Sequence, residues 1–174
     1  MPTRHHVTPE ARSSAVYSAC ETYRYSLTRV WDTAGPRVTF VMLNPSTADE
    51  RRNDPTVARC ERRARLLGYG GFRVTNLFAI RATDPRDMRA AAAPEGPGNA
   101  VALQEGCDWA DRVIAAWGVH GAHRGQGPRV AARLRAAGVA LFHLGLTREG
   151  HPRHPLYLPY SARPLPWDEH ARGE

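Results

Sequence analysis

The sequence predicts an α/β domain. It should be a three-layer α/β/α sandwich on a mainly parallel, four-stranded central sheet, with an N-terminal antiparallel hairpin strand beside it. Three observations carry this. Short apolar runs recur at residues 38–43, 72–77, 112–117 and 139–143, and nearly continuous runs suit strands covered on both faces. Segments with helical spacing separate them at residues 55–67, 99–110 and 127–137, and alternating strands and helices give parallel sheets joined by crossovers. The loops after the strands are rich in Pro, Gly, Asn and Asp, the residues of turns and caps.

Taken in order, residues 1–20 are polar and bear His and Arg, as a loose arm or an edge segment would. Residues 22–31 alternate large apolar with polar side chains, the pattern of a half-buried strand. Ala34, Gly35 and Pro36 make a turn, so this strand and the run at 38–43 are expected to pair as an antiparallel hairpin. Asp54 is an N-cap and Pro55 opens a helix whose apolar face is Val57, Ala58, Ala64 and Leu67, with Gly68 ending it. The second helix carries Val101, Leu103 and Trp109, and the third Val130 and Leu134. Gly118 closes the strand at 112–117. The Pro- and His-rich stretch from 144 onward has no assignable element. The division expected is an arm at 1–20, one α/β domain at 21–160 and a tail at 161–174.

The chain has 174 residues, 42% of them hydrophobic, enough to bury one core. No apolar run approaches the roughly 20 residues that cross a bilayer, and the N-terminus has no apolar leader core. A cytoplasmic protein without membrane contact is expected. Cys20, Cys60 and Cys107 are widely spaced and form no CxxC pair, so reduced, mostly buried thiols are expected. The formal charge is +7, and all 24 basic Lys/Arg positions are arginine. Without lysine there is no Schiff base through a side-chain amine and no P-loop. Arginine suits bidentate phosphate contact, so the partner expected is nucleic acid, DNA foremost, or a nucleotide.

Ligands of open α/β sheets bind beyond the carboxyl ends of the strands. That rule selects the loops at 44–54, 76–87, 117–125 and 143–158. In the first, Asn44-Pro45-Ser46 bends the chain directly after a strand and leaves Asn44 at the sheet's end. An Asn side chain can accept a hydrogen bond from a water and orient it, which suits a cationic transition state. In the second, the Asn76 carboxamide presents a donor and an acceptor side by side, matching a pyrimidine's adjacent carbonyl and N–H. Phe78 could stack on that base. Gly118 lies in the third. In the fourth, His151 and His154 each precede a proline and could donate to an oxyanion on a leaving base, with Arg153 on phosphate. No cofactor is expected. The pairs His120/His123 and His151/His154 have metal-ligand spacing but no clear third ligand in sequence, so no metal centre is assigned, and a metal-dependent hydrolase is kept only as an alternative. The arginines at 59, 62, 63 and 65 form either a solvated helix face or a phosphate track.

The string Leu-Asn-Pro-Ser-Thr-Ala-Asp at 43–49, Thr-Asn-Leu-Phe-Ala at 75–79, Ala-Trp-Gly at 116–118 and His-Pro-Leu-Tyr at 154–157 resembles a bacterial and phage family known as domain of unknown function 1643. It is also similar, more remotely, to the uracil-DNA glycosylase superfamily. Those enzymes carry an Asn-Pro or Asp-Pro loop after the first core strand, often a Thr-Asn pair ending the next, and a late His-Pro-Ser loop. Here neither His151-Pro152 nor His154-Pro155 is followed by Ser. The resemblance implies hydrolysis of an N-glycosidic bond of a flipped or single-stranded damaged or modified base. Asn44 would place the water, Asn76 read the base, Phe78 stack on it, and His154 or His151 stabilise the departing anion. With no lysine, the enzyme would be monofunctional. A module binding the nucleotide or modified base without hydrolysis is the rival.

Overall fold

The computed structural model describes residues 1–168. The chain is a mixed α/β protein with one eight-stranded sheet. Its strands are β1 (Thr3–Val7), β2 (Arg12–Tyr17), β3 (Arg24–Val30), β4 (Arg37–Met42), β5 (Gly71–Asn76), β6 (Arg112–Ala115), β7 (Leu141–His143) and β8 (Leu165–Pro166). The helices are α1 (Pro55–Leu66), α2 (Pro85–Ala90), α3 (Asn99–Trp109) and α4 (Gln126–Ala136). Short 3-10 segments run over Val119–Gly125 and Pro155–Tyr157.

The strand order is β1-β2-β3-β5-β4-β6-β7-β8. The four apolar runs of the sequence are β5, β4, β6 and β7, which are neighbours and mutually parallel. The sheet is wider than the mainly parallel four-stranded sheet with one added hairpin strand that was expected, and as a whole it is mostly antiparallel, because antiparallel strands extend both edges of the parallel block. The first twenty residues, read as a loose arm or edge segment, contain β1 and β2. The tail adds β8 against β7.

Pleating explains the core. Along β4, Val38, Phe40 and Met42 pack with Val57, Cys60 and Ala64 of α1, while Val41 packs with Leu103 and Cys107 of α3 and Val130, Ala131 and Leu134 of α4. Successive side chains of a strand alternate faces, so a strand covered on both sides is apolar at most positions; the buried Thr39 donates its hydroxyl to Gly106 O at 2.7 Å. Cys60 and Cys107 are buried free thiols, whereas Cys20 is exposed. Among the described residues no helix is long and apolar enough to cross a membrane.

The expected β3–β4 hairpin does not form. β5 lies between the two strands, antiparallel to β3 and parallel to β4. The connection after β3 therefore has to bridge two interstrand spacings, about 10 Å, which a tight hairpin turn cannot do. It wraps the entry to β5 instead: Trp31 and Asp32 N–H donate to the Gly70 carbonyl, and Gly70 N–H donates to Pro36 O. A Cβ on Gly70 would sit 2.2 Å from the Asp32 carbonyl oxygen. Glycine is required there by close backbone approach.

Candidate functional site

The loop after β4 is held from two sides. The Asn44 Nδ2 donates to the carbonyls of Pro45 (2.9 Å) and Ala82 (2.8 Å). Two carbonyl partners identify that atom as the amide nitrogen, leaving Oδ1 as a free acceptor. Pro45 O also accepts from Ala82 N–H. Further along, Arg24 Nη1 donates to Ala48 O. Arg29 donates to the carbonyls of Asp49, Glu50 and Arg52 and to the Asn53 side chain. Burial lowers the Arg29 pKa, opposed chiefly by Glu61 and Asp49. Asp54 then caps α1, its Oδ1 accepting from Val57 N (2.8 Å) and its Oδ2 from Ala48 N (3.2 Å). The Asp-Pro signature read from sequence is thus a working cap.

Beneath this loop lies a cavity of about 50 Å³. Its polar wall includes Arg24, Asn44, Ser46, Asp54, Thr56, Asn76 and His154, and its apolar wall Met42, Val57 and Val74. Asn76, at the end of β5, is only 1% exposed. Among the described residues, neither its Oδ1 nor its Nδ2 has a hydrogen-bond partner. Buried carboxamides are nearly always satisfied, and an orphaned one costs about 1–3 kcal/mol. Its backbone is well held, the carbonyl accepting from Asn99 Nδ2 at 2.8 Å, so the side chain alone is left without partners.

His154 caps the 3-10 turn Pro155–Tyr157, its Nδ1 accepting from Leu156 N–H at 3.3 Å. An accepting Nδ1 leaves the proton of the neutral ring on Nε2. Burial lowers the His154 pKa, Asp54 opposing that shift and His120 adding to it. Gly118 backs this loop with φ +72°, a Cβ there would lie 3.3 Å from His154 Cβ, and its N–H donates to Pro152 O at 2.8 Å.

Beyond His154 the chain is strapped to α1. Arg63 donates to the carbonyls of Leu158, Pro159 and Ala162, and Arg59 to Leu158 O. Tyr160 lies under Arg59, Arg62 and Arg63, with the Arg59 guanidinium 4.2 Å from the ring centroid. Arg65 stacks on Trp31 at 3.9 Å. Arg59 and Arg63 thus bind carbonyls of the chain's own residues 158–162, while Arg62 and Arg65 of the same helix are exposed.

Of the residues expected from sequence, Asn44, Ser46, Asn76 and His154 line one cavity. The others do not. Phe78 is fully buried in the core on the α3/α4 side, its ring centroid 5.6 Å from that of His123, because the chain turns to that side after Asn76. His151 lines a separate cleft with Trp117 and Trp167. The segment between the two histidines is extended, bridging Leu146 through Pro152, and residues three apart on extended backbone face opposite ways. Arg153 is exposed and donates to Leu146 O. Pro45 and Gly118 support the site through their backbone.

Of the other polar lining residues, Arg24 and Thr56 were not expected there, and Asp54 was one of several carboxylates in the selected loops that could act as a general base. Asp54 and Thr56 belong to the start of α1, where the cap signature is local but its position over the cavity is not. Arg24 sits in the alternating pattern of β3, and nothing local marks its side chain as inward. Among the described residues no group of three or more His, Cys, Asp or Glu side chains is placed to hold a metal ion.

No curated protein and no solved structure matches the chain. The model of a family described as a protein of unknown function (DUF1643) matches residues 24–156. That span runs from Arg24 past His154 and so takes in every residue lining the cavity. Covering well over half of the sequence, the match makes the chain a member of the DUF1643 family.

Proposed function

We propose that the cavity binds a nucleobase and that the protein hydrolyses an N-glycosidic bond, in the manner of the uracil-DNA glycosylase superfamily. The observation that carries this reading is the Asn76 carboxamide, buried, unpartnered and lining the same cavity as Asn44, Asp54 and His154. A paired donor and acceptor is what a heterocycle edge with adjacent carbonyl and N–H requires. The layering also supports it: α1 covers one face of the parallel block and α3 and α4 the other, as a three-layer sandwich of that superfamily would have.

The substrate is a base flipped from nucleic acid, DNA foremost, or carried by a nucleotide. Flipping costs about a few kcal/mol. The cavity is small, so the base enters edge first, with its sugar at the mouth. The glycosidic bond loosens toward an oxocarbenium-like state. Asn44 Oδ1 accepts a hydrogen bond from the attacking water. Asp54 supplies negative charge beside the cationic sugar. The neutral His154 donates through Nε2–H to the departing base. The arginine-pinned loop at 48–53 holds these groups in place beforehand, which is where such catalysis gains its effect.

The test uses single-stranded and duplex oligonucleotides containing uracil, hypoxanthine or 5-hydroxymethyluracil. Release of a free base with an abasic site left behind is expected from the wild type. Binding without release would select the rival, a non-hydrolytic base- or nucleotide-binding module. Loss of activity with a chelator would select the metal-dependent alternative.

A further inference from the structure

We infer that Arg24 is a further catalytic residue of this cavity, its guanidinium holding the negative charge that develops on the departing heterocycle. This rests on the hydrolytic reading above, and the experiment separates the two.

Arg24 opens β3, is 1% exposed and lines the cavity with Asn76 and His154. Its Nη1 donates to Ala48 O, but its buried Nε has no partner among the described residues. Among the described residues it forms no ion pair. The charged groups around it are Asp54, which favours its charge, and Arg29 and Arg81, which oppose it; the Tyr17 phenol also faces it. Burial lowers its pKa to about 10, so it is a cation at neutral pH.

A buried cation without a close counterion is costly to the resting protein. The cost is recovered if the negative charge arrives with the ligand. In the proposed reaction it does. The C1′–N bond breaks with both electrons passing to the base, water oxygen bonds to C1′, the water loses one proton and the base anion takes one up. One water is consumed and no other reactant is needed. His154 is neutral and can offer that anion a hydrogen bond but no charge. Arg24 offers both, from a side chain that is itself buried, where a fixed charge acts more strongly than in water.

The test compares two leaving groups. Release of uracil and of the more acidic 5-fluorouracil from otherwise identical oligonucleotides is timed in single turnovers. For Arg24→Gln we expect uracil release to fall about a hundredfold and 5-fluorouracil release much less, with Arg24→Lys recovering part of the loss. The ratio of the two rates is read on one preparation, so incomplete folding does not alter it. An unchanged ratio overturns the inference. Calorimetry reads the same point without chemistry, using 5-nitrouracil, an anion at neutral pH, against neutral uracil. The wild type should prefer the anion and Arg24→Gln should lose the preference. Equal binding, or binding of neither, overturns the inference even if base release stands. Preference for the anion through Arg24 in a protein that releases no base upholds the anion site and ends the hydrolytic reading.

Discussion

Where the parallel strands end, the two faces of one sheet carry opposite kinds of interior. Toward α1 there is a cavity with a charged guanidinium and an unpartnered carboxamide. Toward α3 and α4, Leu77, Phe78 and Trp117 are buried in an apolar core. Beside that core is a wider cleft of about 280 Å³, where Trp117 and Trp167 meet edge to face and Arg135 stacks on Trp167 at 4.6 Å. Adjacent residues divide between the two: Asn76 goes to the cavity and Leu77 to the core. His154 and His151 divide likewise. The side of the pleat, more than residue type, separates groups available for chemistry from groups that pack.

The contrast is broken most strongly on the packing face. Trp117→Ala should cost about 3–5 kcal/mol of stability, the usual penalty for a large buried aromatic, measured by urea unfolding, with base release per folded molecule unchanged. A loss under about 1 kcal/mol would mean that this face is not the closed core described. Next in size is Asn44→Ala, expected to lower base release at least about a hundredfold. Its stability cost should be only about 1–2 kcal/mol, from two lost carbonyl contacts, and full activity in this variant removes Asn44 from the reaction.

Asn76→Leu sharpens the comparison further. Replacing an orphaned polar side chain by an apolar one of similar size should leave stability unchanged or raise it by about 1 kcal/mol, while ending base binding. A clear destabilisation in thermal unfolding would show that the carboxamide has partners in the resting protein.

The pH dependence is a smaller effect. Burial lowers the pKa of both His154 and His143 below 6.5. Above about pH 6.5 folded and unfolded chains are alike neutral at these positions. As pH falls, the unfolded chain takes up protons first, so stability is lost down through the folded pKa values. The melting temperature should drop on acidification, and His154→Asn should flatten that slope; an unaltered slope argues against a partly buried, neutral His154. His151→Ala should do least, within about 0.5 kcal/mol as at ordinary surface positions, with no change in rate. A rate loss there would move the leaving-group donor to the other face.

Much of the frame was legible because its signals are local. Asp54-Pro55 marks a helix start through one side chain that accepts from the Val57 N–H three residues on and one proline at the first helical position. The apolar runs mark strands buried on both faces. Helix α2 escaped notice although Asp84-Pro85 repeats the same cap signature, with Asp84 accepting from Arg86 N–H, because only six residues follow and none builds an apolar stripe. β1, the edge strand, is polar and lacks the apolar alternation that identifies a strand, and β2, paired on both sides, buries only Ala15 and Tyr17 within a stretch opened by Arg12, Ser13 and Ser14. Within the site, Asn44 stood out by its Asn-Pro turn and Asn76 by its place at a strand end. Arg24 carried no such mark, since an arginine in an alternating strand usually points to solvent.

The amino-acid sequence by itself determined the α/β class, the four parallel strands of the block, the α1 cap and the Asn-Pro loop. All of these follow from the stereochemistry of a few adjacent residues. Only the tertiary structure decided that β5 lies between β3 and β4, that His154 rather than His151 reaches the cavity, and that Arg24 is buried beside Asn76. Those outcomes depend on which distant segments pack together and on which face of the pleat each side chain then lies, a choice set by the packing of the whole chain and written in no short stretch of it.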